Sequence, residues 1–164
     1  MTNEQQQIRD FMTKAQQATP DRPTVPKQDV RLLRLKLIAE ELQELAAAFG
    51  YRLYLEDDSK GIGEPTLSFV PNGLLFNIVE SYDAILDLMV VVIGAGVALG
   101  LELEPGWQEV HRSNMSKFID GHRRTDGKWI KGPSYSSALL EPIIEAQYDN
   151  KPVDSDTGTA TPQA

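Results

Sequence analysis

Two stretches of this sequence, LIAEELQEL at residues 37–45 and NIVESYDAILDLMVVV at residues 77–92, indicate most about how the chain folds. Both are apolar at helical spacing, and acids interrupt both at intervals of three or four residues. On a helix, that spacing puts the acids of each stretch on one side. These six acids are Glu40, Glu41 and Glu44 in the first stretch and Glu80, Asp83 and Asp87 in the second. The sequence therefore predicts two long helices, each with a row of carboxylates and an apolar face.

The apolar faces predict how these helices pack. Opposite the acids, the first helix carries Leu35, Ile38, Leu42 and Phe49, and the second carries Ile78, Tyr82, Ile85 and Met89. The second stretch is apolar at nearly every other position, so we expect that helix to be buried on most sides and its acids to be partly buried.

The rest of the chain reads as further helices joined by loops. We predict helices over about 3–18, 27–49, 74–99 and 105–120, and a short amphipathic helix or capping segment over 136–147. We also predict a proline-broken linker over 19–26, a loop or short variable insertion over 56–73, and an irregular region over 120–135. The helix that starts near Pro105 has Trp107, Val110, Met115 and Phe118 as its candidate inward residues. We therefore expect one all-α domain over residues 1–149 and a disordered tail over 150–164.

Composition narrows the class of protein. The net charge of −8 over 164 residues argues against nucleic acid as a partner, because phosphate backbones require clustered Lys and Arg. The chain has no cysteine, which excludes disulfides and thiolate metal sites. The uncharged apolar segment 88–101 is shorter than a bilayer span, and the first residues do not resemble a secretory signal. We expect a cytoplasmic protein without a membrane segment.

The fragment VVVIGAGVALG at residues 90–100 imitates the strand and glycine turn of a dinucleotide-binding unit. Its third glycine, Gly100, lies one position too far along, and about 64 residues remain for the rest of such a fold. We therefore interpret this fragment as part of a packed helix.

The two rows of acids suggest a metal site. Like charges one helical turn apart repel each other, so a cation between them is expected. Hard divalent ions prefer oxygen ligands, and Mg²⁺ is commonly held by a few carboxylates together with substrate phosphates. A di-iron bundle normally supplies Glu-x-x-His pairs, and neither row contains histidine. We predict Mg²⁺, with Mn²⁺ as a substitute.

The same residues resemble a known family. Glu41-x-x-Glu44 followed by Glu80-x-x-Asp83 resembles the E-x-x-E, E-x-x-D signature of the all-α, MazG-like nucleoside triphosphate pyrophosphohydrolases. The segments EVHRSNMSKFIDG and DGKWIKGPSY resemble the phosphoribosyl-ATP pyrophosphohydrolase-like branch, so that the similarity covers roughly residues 27–146. The resemblance implies a helical bundle completed by oligomerisation, as a homodimer or homotetramer. It also implies metal-dependent hydrolysis of a (deoxy)nucleoside triphosphate to the monophosphate and pyrophosphate.

The resemblance also implies roles for individual residues. The metal ligands it implies are Glu40, Glu41, Glu44, Glu80 and Asp83, with Asp87 as a further acid. Glu41 or Glu40 would be the catalytic residue that activates water. By the same resemblance, Asn114 and Lys117 would contact the nucleotide. Helical spacing adds Arg112 to these substrate contacts, and the glycine-rich loop adds Lys128 and Lys131. Trp129 would either stack on a base or anchor the core or a dimer.

Several alternatives stay open at this level. The substrate base is undetermined, and dGTP and dUTP are the leading candidates. Phosphoribosyl-ATP is a further candidate substrate within the family. We rank it lower because a free-standing chain with a long proline linker and a tail is more similar to enzymes that act on the nucleotide pool. A different class of function, a non-catalytic acidic helical module that binds a metal or a partner, also fits the acid rows.

Overall fold

The computed structural model describes residues 1–56 and 66–149, and these are mostly helical. Five helices and two very small sheets make up the described chain, which confirms the all-α prediction. In chain order the elements are α1 Asn3–Lys14, α2 Gln28–Ala48, β1 Tyr51–Glu56, β2 Thr66–Pro71, α3 Ile78–Ala98, α4 Leu103–Ser116, β3 His122–Arg123, β4 Trp129–Ile130 and α5 Glu141–Asp149.

The chain divides into two compact units. The first consists of Met1–Thr19 and Val25–Leu99, and the second of Pro20–Thr24 and the chain from Gly100 onward. The expectation of a single domain over 1–149 stays a prediction. The predicted disordered tail, 150–164, lies outside the described residues.

The first unit has a small apolar core between α1 and the end of α3. Ile8 and Met12 of α1 pack with Val97 and Ala98, and Ile93 lies partly buried against them. Met12 is 1% exposed and Val97 is fully buried. The start of α1 is stabilised by Thr2, whose side chain accepts a hydrogen bond from the backbone N–H of Gln5. The amphipathic α1 therefore serves as a cover for one end of α3.

The boundaries of the two long helices follow local chemistry. The helix α2 matches its prediction to within a residue at each end. The helix α3 begins at Ile78, later than predicted, because Asn77 is its N-cap and accepts hydrogen bonds from the N–H groups of Val79 and Glu80. The buried Gly94 and Gly96 lie inside α3, which confirms that the glycine fragment is helical.

The prediction of a loop over 56–73 was wrong where the structure describes it. Strands β1 and β2 pair antiparallel, with Leu53 opposite Phe69 and Arg52 opposite Val70. One face of this hairpin carries Tyr51, Leu53, Leu67 and Phe69. Residues 57–65, which join the strands, lie outside the described residues. The glycines and acids of this region concealed a short alternating pattern that spans only six residues per strand.

Much of the predicted core is exposed in the single chain. On α2, Leu35 is 66% exposed, and on α3, Ile78 and Tyr82 are 69% and 64% exposed. The α4 prediction was also wrong, because Trp107 is 72% exposed; Val110, Met115 and Phe118 are exposed as well. The α4 side chains that are buried belong to Ser113 and Ser116. Helical periodicity identified apolar faces, but it does not say whether the same chain covers them.

The second unit is held together by hydrogen bonds to the backbone. Gln147 of α5 accepts from the N–H of Glu102 at 2.9 Å and donates to its carbonyl at 3.0 Å, which fixes the entry to α4. Asp120 accepts from the N–H of Ser134 through both carboxylate oxygens. At Gly100, where φ is +69°, any Cβ would lie 1.9 Å from the carbonyl oxygen of Arg22. Only glycine fits there.

The helix α4 starts at Leu103 and places Pro105 in its first turn. It ends at Ser116, earlier than the predicted stop near Asp120. The predicted irregular region that follows contains the two-residue strands β3 and β4, in which His122 pairs with Ile130.

By length and composition, α3 is apolar enough to cross a membrane, and it is the one such helix in residues 1–56 and 66–149. This is weak evidence for a membrane span, because core helices of soluble proteins meet the same criteria. The carboxylates of Glu80, Asp83 and Asp87 on this helix are exposed, which makes a lipid environment costly.

Candidate active site in a cleft between two acidic helices

The helices α2 and α3 run antiparallel, as contacts at both ends show. At one end, the hydroxyl of Ser81 donates to the carbonyl oxygen of Ala48 at 3.4 Å. At the other, a Cβ on Gly94 would lie 3.4 Å from a guanidinium nitrogen of Arg34. Glu41 lies midway between Arg34 and Ala48 along α2. The acids of α2 therefore face the acids of α3.

Glu41 is the centre of this acidic cluster. Its side chain is partly buried, while Glu40 and Glu44 are exposed. Burial raises the pKa of Glu41, and the negative charges of Glu44, Asp87, Glu40 and Asp83 raise it further. Two helices thus direct carboxylates towards one glutamate. The expectation that the α3 acids are themselves partly buried was wrong, because Glu80, Asp83 and Asp87 are exposed in the single chain.

A cleft of about 500 Å³ opens beside this cluster. This volume is within the range that small-molecule sites occupy. The cleft combines four carboxylates with apolar side chains and one amide. Its lining residues are Glu44, Ala47, Ala48, Leu74, Leu75, Asn77, Glu80, Asp83, Ala84 and Asp87.

The donor chemistry of the cluster suits a hard divalent cation, because carboxylate oxygens from two helices repel one another around Glu41. In the part of the chain that the structure describes, no three carboxylate or imidazole groups stand close enough to hold one ion together. Each glutamate has three side-chain torsions, so its carboxylate can change position by a change of rotamer.

A buried cation lies on the same face of α2. Arg34 is 8% exposed, and its pKa is lowered by burial. It donates a hydrogen bond of 2.6 Å to the side-chain oxygen of Gln17, and its Nε has no hydrogen-bond partner among the described residues. The guanidinium lies beside Gly94 of α3, where a Cβ would come within 3.4 Å of one of its nitrogens. Arg34 precedes Glu41 by seven residues, and that spacing is the signal that could have identified it.

A comparison with known protein families matches residues 7–114 to the family described as phosphoribosyl-ATP pyrophosphohydrolase. The matched region contains α2, α3 and all six acids. The chain belongs to this family. The family sits within the MazG-like nucleotide pyrophosphohydrolase superfamily, so this chain is a nucleotide pyrophosphohydrolase. A comparison with curated proteins finds no match.

The phosphate contacts predicted for the pyrophosphohydrolase lie in the second unit. One of them, Arg112, already has hydrogen-bond partners within the chain. Its guanidinium makes two 2.7 Å hydrogen bonds with the carboxylate of Glu109 and donates to the carbonyl oxygen of Ser137 at 3.0 Å. Glu109 also accepts from the N–H of Leu139, and these hydrogen bonds lower the pKa of Glu109 to about 2. Arg112 and Glu109 thus fasten the 137–139 segment to α4.

The other predicted contacts of the pyrophosphohydrolase differ in their surroundings. The ammonium of Lys117 donates to the side-chain oxygen of Asn114 at 2.7 Å. Lys128 is exposed on the β3–β4 hairpin. Trp129 donates to the carbonyl oxygen of Lys117 at 2.7 Å and packs its ring on Phe118, with ring centres 4.8 Å apart. In this chain Trp129 therefore anchors the hairpin.

Tyr135 is a residue of the pyrophosphohydrolase to which the sequence assigned no role. Its hydroxyl accepts a hydrogen bond from Ser113 at 3.4 Å, and the ammonium of Lys131 lies 4.0 Å from the centre of its ring. Hydrogen bonds from Ser113, Ser137 and Lys131 lower the pKa of Tyr135 to about 8. Its position in the quoted segment KGPSY was visible in the sequence, but the contact with Ser113 on α4 was not.

We expect Tyr135 to ionise near pH 8. Because its pKa in the folded state is lowered, its ionisation stabilises the fold at pH values above the normal tyrosine pKa, and this contribution is lost as the pH falls through about 8. Absorbance at the tyrosinate band should show a titration step near pH 8 that is absent in Tyr135→Phe. A Tyr148→Phe control should keep this step, and a wild-type curve without it would contradict the assignment.

Proposed function

We propose that this pyrophosphohydrolase hydrolyses a (deoxy)nucleoside triphosphate, with dGTP and dUTP as the leading candidates, to the monophosphate and pyrophosphate. The observation that supports the proposal is the position of Glu41. Acids from both α2 and α3 surround it, and its pKa is raised, beside a cleft large enough for a nucleotide.

The proposed reaction is in-line attack of water on the phosphorus that bears the nucleoside. A bond forms from the water oxygen to phosphorus, and the bond from phosphorus to the bridging oxygen breaks, so that pyrophosphate leaves. Glu41, or Glu40 one residue before it, accepts the proton of the water. A raised pKa makes the carboxylate of Glu41 a stronger base, which suits this role.

We propose Mg²⁺, with Mn²⁺ as a substitute, held by Glu40, Glu41, Glu44, Glu80 and Asp83. Such an ion, when bound, polarises a phosphoryl oxygen and offsets the charge of the leaving pyrophosphate. Asp87 is a further candidate, because its charge raises the pKa of Glu41 and its side chain lines the cleft.

Phosphate contacts are proposed for Arg112, Asn114, Lys117, Lys128 and Lys131. Between residues 111 and 131 the chain has six Lys or Arg and two Asp, so this stretch is basic in an acidic protein. Because Arg112 is held by Glu109 and Lys131 lies over the ring of Tyr135, the exposed ammonium of Lys128 is better suited than either to binding phosphate oxygens.

We propose that the protein acts as a homodimer or homotetramer in the cytoplasm. Apolar side chains of α2, α3 and the β1–β2 hairpin are widely exposed, including Leu35 at 66%, Phe69 at 53% and Val79 at 69%. Contiguous apolar surface of this kind is typical of an interface between subunits. A second copy would cover the apolar faces that the sequence predicted to be buried.

A second candidate substrate is phosphoribosyl-ATP, which the matched family favours by its description. The same attack of water and the same leaving pyrophosphate apply to this substrate. The two candidates therefore differ in what occupies the nucleoside end of the cleft.

The test is release of pyrophosphate from dGTP, dUTP, the other dNTPs and NTPs, and phosphoribosyl-ATP, each with and without Mg²⁺. Reaction in ¹⁸O-labelled water should place the label in the monophosphate, because water attacks the phosphorus that bears the nucleoside. We expect metal-dependent turnover of dGTP or dUTP above the others. Preference for phosphoribosyl-ATP would support the second candidate. Absence of turnover in folded protein would favour the non-catalytic acidic module.

A further inference from the structure

The cleft has two chemically different ends. Along α2, its lining changes within one helical turn from the carboxylate of Glu44 to the methyl groups of Ala47 and Ala48. Leu74 and Leu75, from the segment between the β1–β2 hairpin and α3, also line the cleft. We name these four residues, Ala47, Ala48, Leu74 and Leu75, the apolar end.

The segment that carries the two leucines is fastened to the end of α2. The side-chain amide of Asn72 donates to the carbonyl oxygens of Ala47 at 3.2 Å and Tyr51 at 3.4 Å. The side-chain oxygen of Asn72 accepts from the N–H of Leu74 at 2.8 Å. On the other side, the N–H of Asn77 donates to the carbonyl oxygen of Ala48 at 3.4 Å. The backbone of this wall is therefore fixed from both sides.

The leucines themselves remain open to solvent. Leu74 is 68% exposed and Leu75 is 93% exposed. The next residue, Phe76, is 58% exposed and makes an edge-to-face contact with Phe49. Exposed leucines on a fixed backbone, beside a cleft that also contains carboxylates, are typical of a surface that meets a ligand. The ligand that matches has an apolar part and, next to it, an anionic part that binds through a cation.

A nucleotide has this arrangement. From Glu41 to Ala48, α2 advances by seven residues, or roughly 10 Å along its axis. This span is comparable with the separation of a nucleotide's reacting phosphorus from its base. The base has flat apolar faces and suits contact with leucine and alanine side chains.

We propose that the apolar end of the cleft binds the base of the nucleotide substrate, with Leu75 as its principal contact. This inference rests on the proposed function and deepens it, because it assigns the nucleoside end of the site. The contacts are made with the faces of the base. They therefore determine the affinity for the base and the size of base that the site accepts.

The test measures equilibrium binding, so it does not depend on turnover. The ligands are the non-hydrolysable α,β-methylene analogue of dGTP and pyrophosphate, each in Mg²⁺ and titrated calorimetrically. Leu75→Ala shortens the wall, and Ala47→Leu fills the apolar end from the opposite side. The matched control is Ala39→Leu, an exposed position on the same helix that does not line the cleft.

We expect Leu75→Ala and Ala47→Leu each to weaken binding of the analogue by about tenfold. Binding of pyrophosphate should stay within twofold, and Ala39→Leu should match wild type in both. Unchanged analogue affinity in both variants would overturn the inference. Equal loss for both ligands would overturn it too, because it would indicate general damage to the site.

Light scattering of each variant distinguishes a role of Leu75 in ligand binding from a role at a subunit interface. If Leu75→Ala lowers the oligomeric mass and Ala47→Leu leaves analogue affinity unchanged, Leu75 belongs to an interface and the inference is wrong. Absence of turnover in the wild type would contradict the proposed function. Binding of the analogue that persists in that case, and that both Leu75→Ala and Ala47→Leu weaken, would still support the apolar end as a nucleoside site.

Discussion

We expect Glu41→Gln to lower kcat by about 10²–10⁴-fold, the range that loss of a general base produces. The substitution keeps the size of the side chain and removes the carboxylate around which the acids of α2 and α3 gather. The pKa of this carboxyl group is raised by burial and, further, by the negative charges of Glu44, Asp87, Glu40 and Asp83. Pyrophosphate release at saturating dNTP and Mg²⁺ measures the effect.

The melting temperature of Glu41→Gln shows whether a loss of activity comes from the chemistry or from unfolding. Because Glu41 is repelled by four neighbouring acids, its neutralisation should raise the melting temperature of the metal-free protein. The stabilisation that wild type gains from added Mg²⁺ should be smaller in the variant. Glu145→Gln, an exposed position on α5, is the matched control and should change neither property. A kcat within threefold of wild type would exclude Glu41 as the base and leave Glu40 to be tested.

We expect Val92→Glu to dissociate the oligomer. We also expect it to abolish activity, because we propose that the active site is complete only when a second copy covers α3. Val92 is 49% exposed on α3. A glutamate buried at an apolar interface would carry an uncompensated charge, which is strongly destabilising. The neighbouring Ile93 is less suitable for this test, because it packs against the core of its own chain.

Light scattering and turnover on the same samples measure this prediction. Val25→Glu introduces the same side chain at a residue that is 81% exposed and should keep both mass and activity. Circular dichroism should show that the helices of the Val92 variant persist. A demonstrated monomer that turns over at the wild-type rate would refute the requirement for a second copy.

Local sequence was sufficient for the acid rows and for most helices. Glu40, Glu41 and Glu44 lie within about one helical turn of each other. Helix geometry alone therefore places them on one side of α2. The quoted signature placed the chain in a pyrophosphohydrolase family, and the match over residues 7–114 confirms it. The acid rows and the signature both follow from residue types and their spacing. Neither requires knowledge of which distant residues make contact.

Contacts between distant residues were decided by the tertiary structure. The pairing of Arg112 with Glu109 is local, but its further bond to Ser137 joins residues 25 positions apart and changes how Arg112 is interpreted. The buried Arg34 packs beside Gly94, sixty positions later. Such contacts depend on which helix faces meet, and hydrophobic periodicity does not encode that choice.

The same reason explains the error about burial. Leu35, Ile78 and Tyr82 were expected to be inside because their spacing marks an apolar face, yet all three are exposed in the single chain. An apolar face lowers the free energy only when something covers it, and the pattern is the same whether the cover is this chain or another. Residue types and their spacing were enough to establish which surfaces are apolar and where the acids lie. The tertiary structure decided which acids meet at Glu41 and which apolar surfaces one chain leaves exposed.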